Sequence, residues 1–341
     1  MVSTAPGRVT LEMVAAAAGV SRGTASRVLS GSPKVSQLAS TAVRAAASEL
    51  GYRPNLSARS LVTGRTGLVG FAVNEDDSRL FTDPYYAELV RGIHDELTGS
   101  DHALVLSLVS DSTERSRLLE FAATRLDGLL LAYGHGDPTL ADELAAVGAS
   151  VVFAGRMPPR GPAEHATWVD SDSVAGAAGA VQHLLDRGRT RVGHVAGDRA
   201  MAAGHDRAEG WRQTLVRAGL PHGIDLVEPG CFRTEQGRTA TERLLARRPD
   251  IDAVFCANDL SAFGAIEAVT AAGRRVPDDV AVVGFDDIPA AATGRPPLTT
   301  VHQEIELMGR RMARLLLDRL DGRVEPVQEV LPTRLVVRES S

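Results

Sequence analysis

Residues Val9–Val28, VTLEMVAAAAGVSRGTASRV, decide how the start of this chain is read. Thr10 is placed to cap a first helix, and Leu11, Val14, Ala15 and Ala18 recur at i, i+3, i+4 and i+7, the spacing of one buried stripe. Gly19 follows where a left-handed turn needs no Cβ, Val20 starts a tight connection, and Ser21 is a good cap for a second helix. In that helix Ala25, Val28 and Leu29 can face the first, which leaves Arg22, Gly23, Ser26 and Arg27 outward near its N-terminal end. A helix-turn-helix offers its reading helix to the DNA major groove in this way. An ordinary helical hairpin inside a core has the same pattern, so these residues alone do not separate the two.

The next stretch is more specific. SGSPKVS (30–36) leads into a third helix from about Ser36 through Val43, Ala46 and Leu50, and Gly51 stops it; LGYRPN (50–55) and NLSARSLVTGRTGLVG (55–70) follow. The signals V-T-x-x-x-V-A-x-x-A-G-V-S, T-x-S-R-V-L, K-V-S, L-G-Y-R-P-N and A-R-S-L together resemble the DNA-binding domain and hinge of the lac and gal repressor family of bacterial transcription regulators. The resemblance implies DNA contact by Thr10, Ser21, Arg22, Gly23, Thr24, Ser26 and Arg27. Gly23 has no side chain to specify a base, so Arg22 and Arg27 would carry more of the readout. Asn55 can cap a short helix, Leu56 to about Val62, that is too short to be stable alone in water. The family's equivalent helix pairs with its copy in a dimer on DNA. Ala58 matches a small residue that permits close approach, and Leu61 matches a leucine that wedges into the minor groove and bends the duplex. The expected division is a head at 1–55, a hinge at 56–66 and an effector-binding and dimerisation domain at 67–341.

Charge supports the division. Through Arg65 the chain carries eight basic residues (Arg8, Arg22, Arg27, Lys34, Arg44, Arg53, Arg59, Arg65) against Glu12 and Glu49, a formal +6, whereas the remainder has 29 basic and 41 acidic residues, a formal −12. A basic head on an acidic body fits phosphate contact by the head alone. Met1–Arg8 does not read as a signal peptide and no apolar run approaches a membrane span, so a cytoplasmic protein is the expectation. Cys231 and Cys256 are expected to be free, small and buried. No metal-ligand spacing, nucleotide loop, H-E-x-x-H or G-x-S-x-G is present, so neither a cofactor nor an enzyme is expected.

From Leu68 the texture changes. The apolar runs LVGFAV, ALVLSLV, GLLLAY, SVVFAG, RVGHVAG, AVFCAN and VAVVGF alternate with amphipathic segments such as Ala87–Leu97, Ala177–Leu185 and Leu260–Ala272. That alternation reads as βαβ units with parallel strands buried on both faces. The fold class is therefore α/β: an all-α helix-turn-helix head and a two-lobed, periplasmic-binding-protein-like body of doubly wound parallel sheets. By resemblance lobe 1 takes about 67–169 and 300–328, lobe 2 about 170–299 and 329–341, and the chain crosses between them three times.

Ligands in such sheets sit beyond the carboxyl ends of strands, which nominates Asn74, Tyr133, Arg156, Asp198, Asn258, Asp259, Asp286 and Asp287. Resemblance adds Arg207 in RAEGW, sharpens Asn258 and Asp286 as effector contacts, and places Tyr85 and Tyr86 as an aromatic wall. Asp259 reads more readily as a cap for a helix beginning at Leu260, and Arg156 reads equally as a surface charge. Lac-type members carry an aspartate after the fourth strand where this chain has Gly155, so a lactose-type ligand is not implied. No leucine heptad follows the last strand, and a homodimer without a tetramerising tail is expected. The reading is a repressor of a near-palindromic double-stranded operator, controlled by a small, carbohydrate-like effector. A purine-type corepressor system and, further off, a sugar-binding transport protein are the alternatives. Leu61→Ala is expected to weaken specific operator binding more than nonspecific binding in a salt-matched titration; equal losses would remove the wedge role.

Overall fold

Thr10 opens the first helix as its spacing predicts: its hydroxyl accepts a hydrogen bond from Met13 N at 3.4 Å and α1 runs Leu11–Ala17. Gly19 takes φ 64°, and Ser21 Oγ accepts from Thr24 N at 3.1 Å ahead of α2, Arg22–Leu29. Ser36 caps α3, Gln37–Glu49, which ends before Gly51 at φ 63°. Val14, Ala15, Ala25, Val28, Val43, Ala46 and Ala47 bury a common core. Leu11, Leu29, Leu50 and Tyr52 pack against that core, and each side-chain cap adds about 1 kcal/mol.

In this computed structural model residues 9–29, 34–52, 64–74, 77–133, 139–156 and 166–341 are described, with the backbone alone at 74, 77–79 and 133. Asn55, Ala58 and Leu61 lie outside them. The chain divides into two units, Met1–Thr66 and Gly67–Ser341.

The second unit alternates strand and helix: β1 Leu68–Asn74, α4 Asp77–Thr82, α5 Pro84–Leu97, β2 Ala103–Leu108, α6 Ser112–Thr124, β3 Gly128–Tyr133, α7 Thr139–Ala146, β4 Val151–Ala154 and β5 Thr167–Ser171. It continues with α8 Ser173–Asp186, β6 Val192–Ala196, α9 Ala202–Arg217, β7 Val227–Pro229, α10 Thr234–Arg247, β8 Ala253–Cys256, α11 Asp259–Ala271 and β9 Ala281–Val283. The last elements are α12 Pro289–Thr293, β10 Thr300–Gln303, α13 Ile305–Leu320, β11 Gln328–Leu331 and β12 Thr333–Val336.

Two parallel sheets result, in the orders β11-β5-β4-β3-β1-β2 and β7-β6-β8-β9, and β10 pairs antiparallel with β12. Helices cover both faces of the inner strands, which is why they read as unbroken apolar runs, whereas the edge strand β2 is equally apolar but only part-buried, with Leu106 exposed. The chain passes from one lobe to the other at Asp172, Glu304 and Pro332.

The lobe boundaries need correction. Gln328–Leu331 pairs in parallel with Trp168–Ser171 and belongs to the first sheet, not the second lobe. EVLPTRLVV reads as one strand, but Pro332 has no N–H to donate and divides it into β11 and β12 in different sheets. Similarly, β5 carries the first lobe to Ser171, so the first crossing falls after 169. Of the cysteines, Cys256 is buried while Cys231 is only half-buried, in a turn where its φ is 47°.

Helices α5 and α13 touch backbone to backbone. A Cβ on Gly92 would run into the Glu306 carbonyl, and one on Gly309 into that of Leu89. This contact fixes Tyr85 and Tyr86, at the start of α5, against Met308 on α13; the Tyr85 hydroxyl lies 3.5 Å from Met308 Sδ. Gly92→Ala is therefore expected to lower the unfolding free energy by about 1–3 kcal/mol, read from urea midpoints. An unchanged midpoint would mean that the helices separate freely.

Candidate functional site

The α2 residues that the sequence nominates for DNA contact lie mostly on one exposed face. Arg22, Gly23, Ser26 and Arg27 are all exposed, while Ala25 and Val28 on the opposite side are buried. Arg22 Nε pairs with Glu12 at 2.6 Å on an exposed surface, and Arg27 Nε donates to the Gly23 carbonyl at 3.1 Å. Exposed pairs of this kind are weak and readily exchanged for phosphate or base contacts. Thr10 and Ser21 serve first as caps, and Thr24 is half-buried beside Ser21, their hydroxyls 2.9 Å apart. Packing does not demand Gly23: an added Cβ would come no nearer than 3.9 Å to Ser21 Oγ.

In the second unit the carboxyl ends of both sheets face a cleft of about 840 Å³, including its mouth to solvent. Lobe 1 contributes Asp83, Tyr85, Tyr86, Arg156 and Asp170; lobe 2 contributes Ser173, Arg207, Phe232, Asn258 and Asp286. Arg207 sits at the buried end of this set because α9 is pinned in place. Trp211, one turn on, donates to the Val192 carbonyl at 3.1 Å, and a side chain at Gly210 would strike the Val174 carbonyl of α8.

The Arg207 guanidinium donates to the Ala257 carbonyl and to Asp286 Oδ1 at 3.3 Å, with its carbon 3.8 Å from the Phe285 ring centroid. Asp286 also accepts from Gln303 Nε2 at 2.6 Å. Its backbone holds φ 112°, a conformation costing about 1–3 kcal/mol in a residue with a Cβ, and its N–H is tied to the Val301 carbonyl at 2.8 Å. Burial pushes the Asp286 carboxyl up to about 7; the Arg207 guanidinium pulls the other way without offsetting it, and nearby Asp83 adds to the rise. Ser173, at the start of α8, has a buried hydroxyl with no protein partner, the kind of group a ligand hydroxyl satisfies.

Six of the seven effector candidates, Tyr85, Tyr86, Arg156, Arg207, Asn258 and Asp286, thus line one cavity; Tyr133 ends β3 and its side chain lies outside the described residues. Tyr85 and Tyr86 meet edge to face, with centroids 5.4 Å apart. Asn258, not Asp259, caps α11, accepting from Ser261 N at 3.0 Å, and its amide donates to the Phe232 carbonyl at 3.1 Å. Asp259 turns inward instead, taking Ile288 N at 2.9 Å and the Thr300 hydroxyl, because a buried carboxylate needs donors that the helix end does not supply. Asp287 faces Arg338 and His302, and Asp198 caps its own turn at Ala200 N. Asp83, Asp170, Ser173 and Gln303 were missed; the strand-end rule would have found Asp170 had TWVDS been read as a strand.

A helix-turn-helix head on a two-lobed receptor of parallel sheets defines a class, the DNA-binding transcription regulators with a small-molecule receptor. Residues 10–55 match the family model for bacterial regulatory proteins of the lacI family, and residues 181–341 match that for the periplasmic binding protein-like domain. The HTH-type transcriptional regulator CelR of Thermobifida fusca is 46% identical over 98% of each chain, and the repressor PurR of Haemophilus influenzae (strain PittEE) is 31% identical over 97% of this chain and 98% of its own. A structure of a CelR–cellobiose complex superposes with a TM-score of 0.78 at 44% identity, covering 98% of this chain and 100% of that one. The lac repressor dimer bound to operator superposes at 0.84 with 28% identity, covering 98% and 99%. The chain belongs to the LacI family. It is a DNA-binding transcription regulator, and among the described residues no helix is long and apolar enough to cross a membrane.

The raised Asp286 carboxyl has a measurable signature. The unfolded chain loses this proton near pH 4 and the folded protein near 7, so between those values the folded state holds more protons and stability falls as pH rises. Asp286→Asn is expected to flatten that fall between about pH 5 and 7.5 by on the order of 1–2 kcal/mol in urea unfolding. Parallel pH profiles for the two proteins would return Asp286 to the ordinary carboxylate range.

Proposed function

We propose that this protein is a repressor that binds a near-palindromic operator as a homodimer and that a neutral disaccharide of the cellobiose type, held in the cleft, controls that binding. The observation that carries the reading is the cleft's charge. Asp83, Asp170 and Asp286 line it against two guanidiniums, and each guanidinium already has a carboxylate partner. A phosphorylated sugar or sugar acid meets no unmatched cation among the described lining residues. A polyhydroxylated neutral molecule meets carboxylate acceptors, the free Ser173 hydroxyl and the tyrosine wall. CelR, which is similar along nearly the whole chain, has been solved with cellobiose.

In this reading Arg22, Arg27 and their neighbours on α2, with Thr10 and Ser21 at the helix caps, contact the operator's major groove. Asn55, Ala58 and Leu61 belong to the paired hinge. Tyr85, Tyr86, Arg156, Arg207, Asn258 and Asp286, with Tyr133 at the end of β3, serve the effector. Ligand binding changes the relation of the lobes and, through it, the spacing of the hinges, so effector and operator affinities are linked.

A ligand that binds only the native state raises its melting temperature. Cellobiose is expected to do so, whereas glucose 6-phosphate and hypoxanthine are not, and cellobiose is expected to release an operator duplex in a gel-shift titration. Arg207→Ala is expected to keep operator affinity within about twofold while losing that release. A melting rise with hypoxanthine, or tighter operator binding with any ligand, would replace the reading with the corepressor one.

A further inference from the structure

The two lobes are joined at the cleft as well as at the crossings. Arg156 follows Gly155, whose φ of 87° turns the chain sharply out of β4; an added Cβ there would meet nothing, so glycine serves the turn and not the packing. The residue is then fixed on its own lobe by one carboxylate. Asp170 Oδ2 accepts both the Arg156 backbone N–H at 3.2 Å and its Nε at 3.1 Å, while Asp170 Oδ1 accepts Ser171 N at 2.8 Å. With that edge of the guanidinium held, Nη2 reaches the other lobe and pairs with Asp206 on α9. Asp206 is nearly buried, and Arg207 of the cleft is the next residue of the same helix. His205 Nδ1 lies 3.4 Å from Asp206 Oδ1, and that ring is largely exposed.

We propose that Arg156 is a positioning residue that straps the lobes together at the cleft mouth, through Asp170 on one and Asp206 on the other, and thereby sets how long the effector stays bound. The inference rests on the effector reading for the residence time but not for the strap itself. Among the described residues Arg156 is the one arginine or lysine paired with Asp206, so lobe separation would take that partner away from a nearly buried carboxylate, and an unpartnered charge in such a place is costly. Closing the cleft restores the pair, so the bridge favours the closed arrangement with or without ligand. Part of the Arg156 side chain is open to solvent, at 41% of its full exposure, which screens the pair and keeps the expected effect moderate.

The test is a double-mutant cycle on the full chain with Arg156→Gln, Asp206→Asn and both together, in two measurements. In the ligand-free protein, amide hydrogen exchange at the start of α9 is expected to rise in each single variant and no further in the double one. In stopped flow, cellobiose is expected to leave each single variant about fivefold faster than wild type, with the double variant equal to the singles and the wild type alone accelerated by added salt. If Asp206→Asn left the dissociation rate unchanged while Arg156→Gln raised it, Arg156 would be an ordinary ligand contact and the strap would be rejected. Exchange at α9 unmoved by either variant would reject it too. Failure of cellobiose to bind the wild type would remove the effector reading while the exchange measurement still decided the strap.

Discussion

The ion pair between Arg207 and Asp286 is the constraint around which the receptor is arranged. Both groups are buried, and a pair taken out of water returns its desolvation cost only when every remaining donor and acceptor is met. Here the guanidinium has the Ala257 carbonyl and the Phe285 face, and the carboxylate has Gln303. These partners come from the ends of β8, β9 and β10, so the pair holds three strand ends at one point of the cleft. Arg207 Nε has no protein partner. Replacing a buried ion pair by apolar residues of similar volume is often neutral for stability, so the stability of the fold does not by itself account for the charges here.

The same loop connects the cleft to the crossing segment. Asp286 binds Gln303, its neighbour Asp287 binds His302 at 3.0 Å, and Asp259 binds the Thr300 hydroxyl, so three carboxylates of lobe 2 hold one short strand on its way to lobe 1. Burial raises the Asp259 carboxyl as it does that of Asp286, and the neighbouring Asp286 adds to the Asp259 rise. A change in charge or partner at Asp286 is therefore felt along β10 without any intervening element. The left-handed backbone at Asp286 and Asp287 allows consecutive side chains to face the cleft and the crossing strand respectively.

Most of this plan was legible in the sequence, for identifiable reasons. The head's helices were marked by Thr10 and Ser21 as caps and by Gly19 and Gly51 as stops, and each does that work in the structure, which adds Ser36 as the cap of the third. The long buried strands were marked by their apolar runs. What escaped was short or mixed in character. TWVDS alternates too briefly to read as a strand, and with it went Asp170 and Ser173; TVHQ hid Gln303 for the same reason. Asp259 was misread because a cap and a buried acceptor look alike at a helix start, and only the positions of Ile288 and Thr300, distant in sequence, separate them. Arg156 could not be assigned from one strand end because its second partner lies on the other lobe.

The distribution of charge assigns a role to the receptor beyond holding a ligand. A body of formal charge −12 repels the DNA polyanion over a distance of about 8–10 Å at moderate salt, whereas the +6 head is drawn to it. Net charge therefore favours contact with nucleic acid through the head over contact through the body. Most of the body's arginines are moreover committed to its own carboxylates, as in the Arg247–Glu228, Arg248–Asp250 and Arg275–Asp279 pairs, and those side chains are not displayed as free cations. Nonspecific attachment through the receptor would compete with operator binding without responding to effector. An acidic, internally paired surface suppresses that competition, so the affinity that the cleft controls is the affinity of the head.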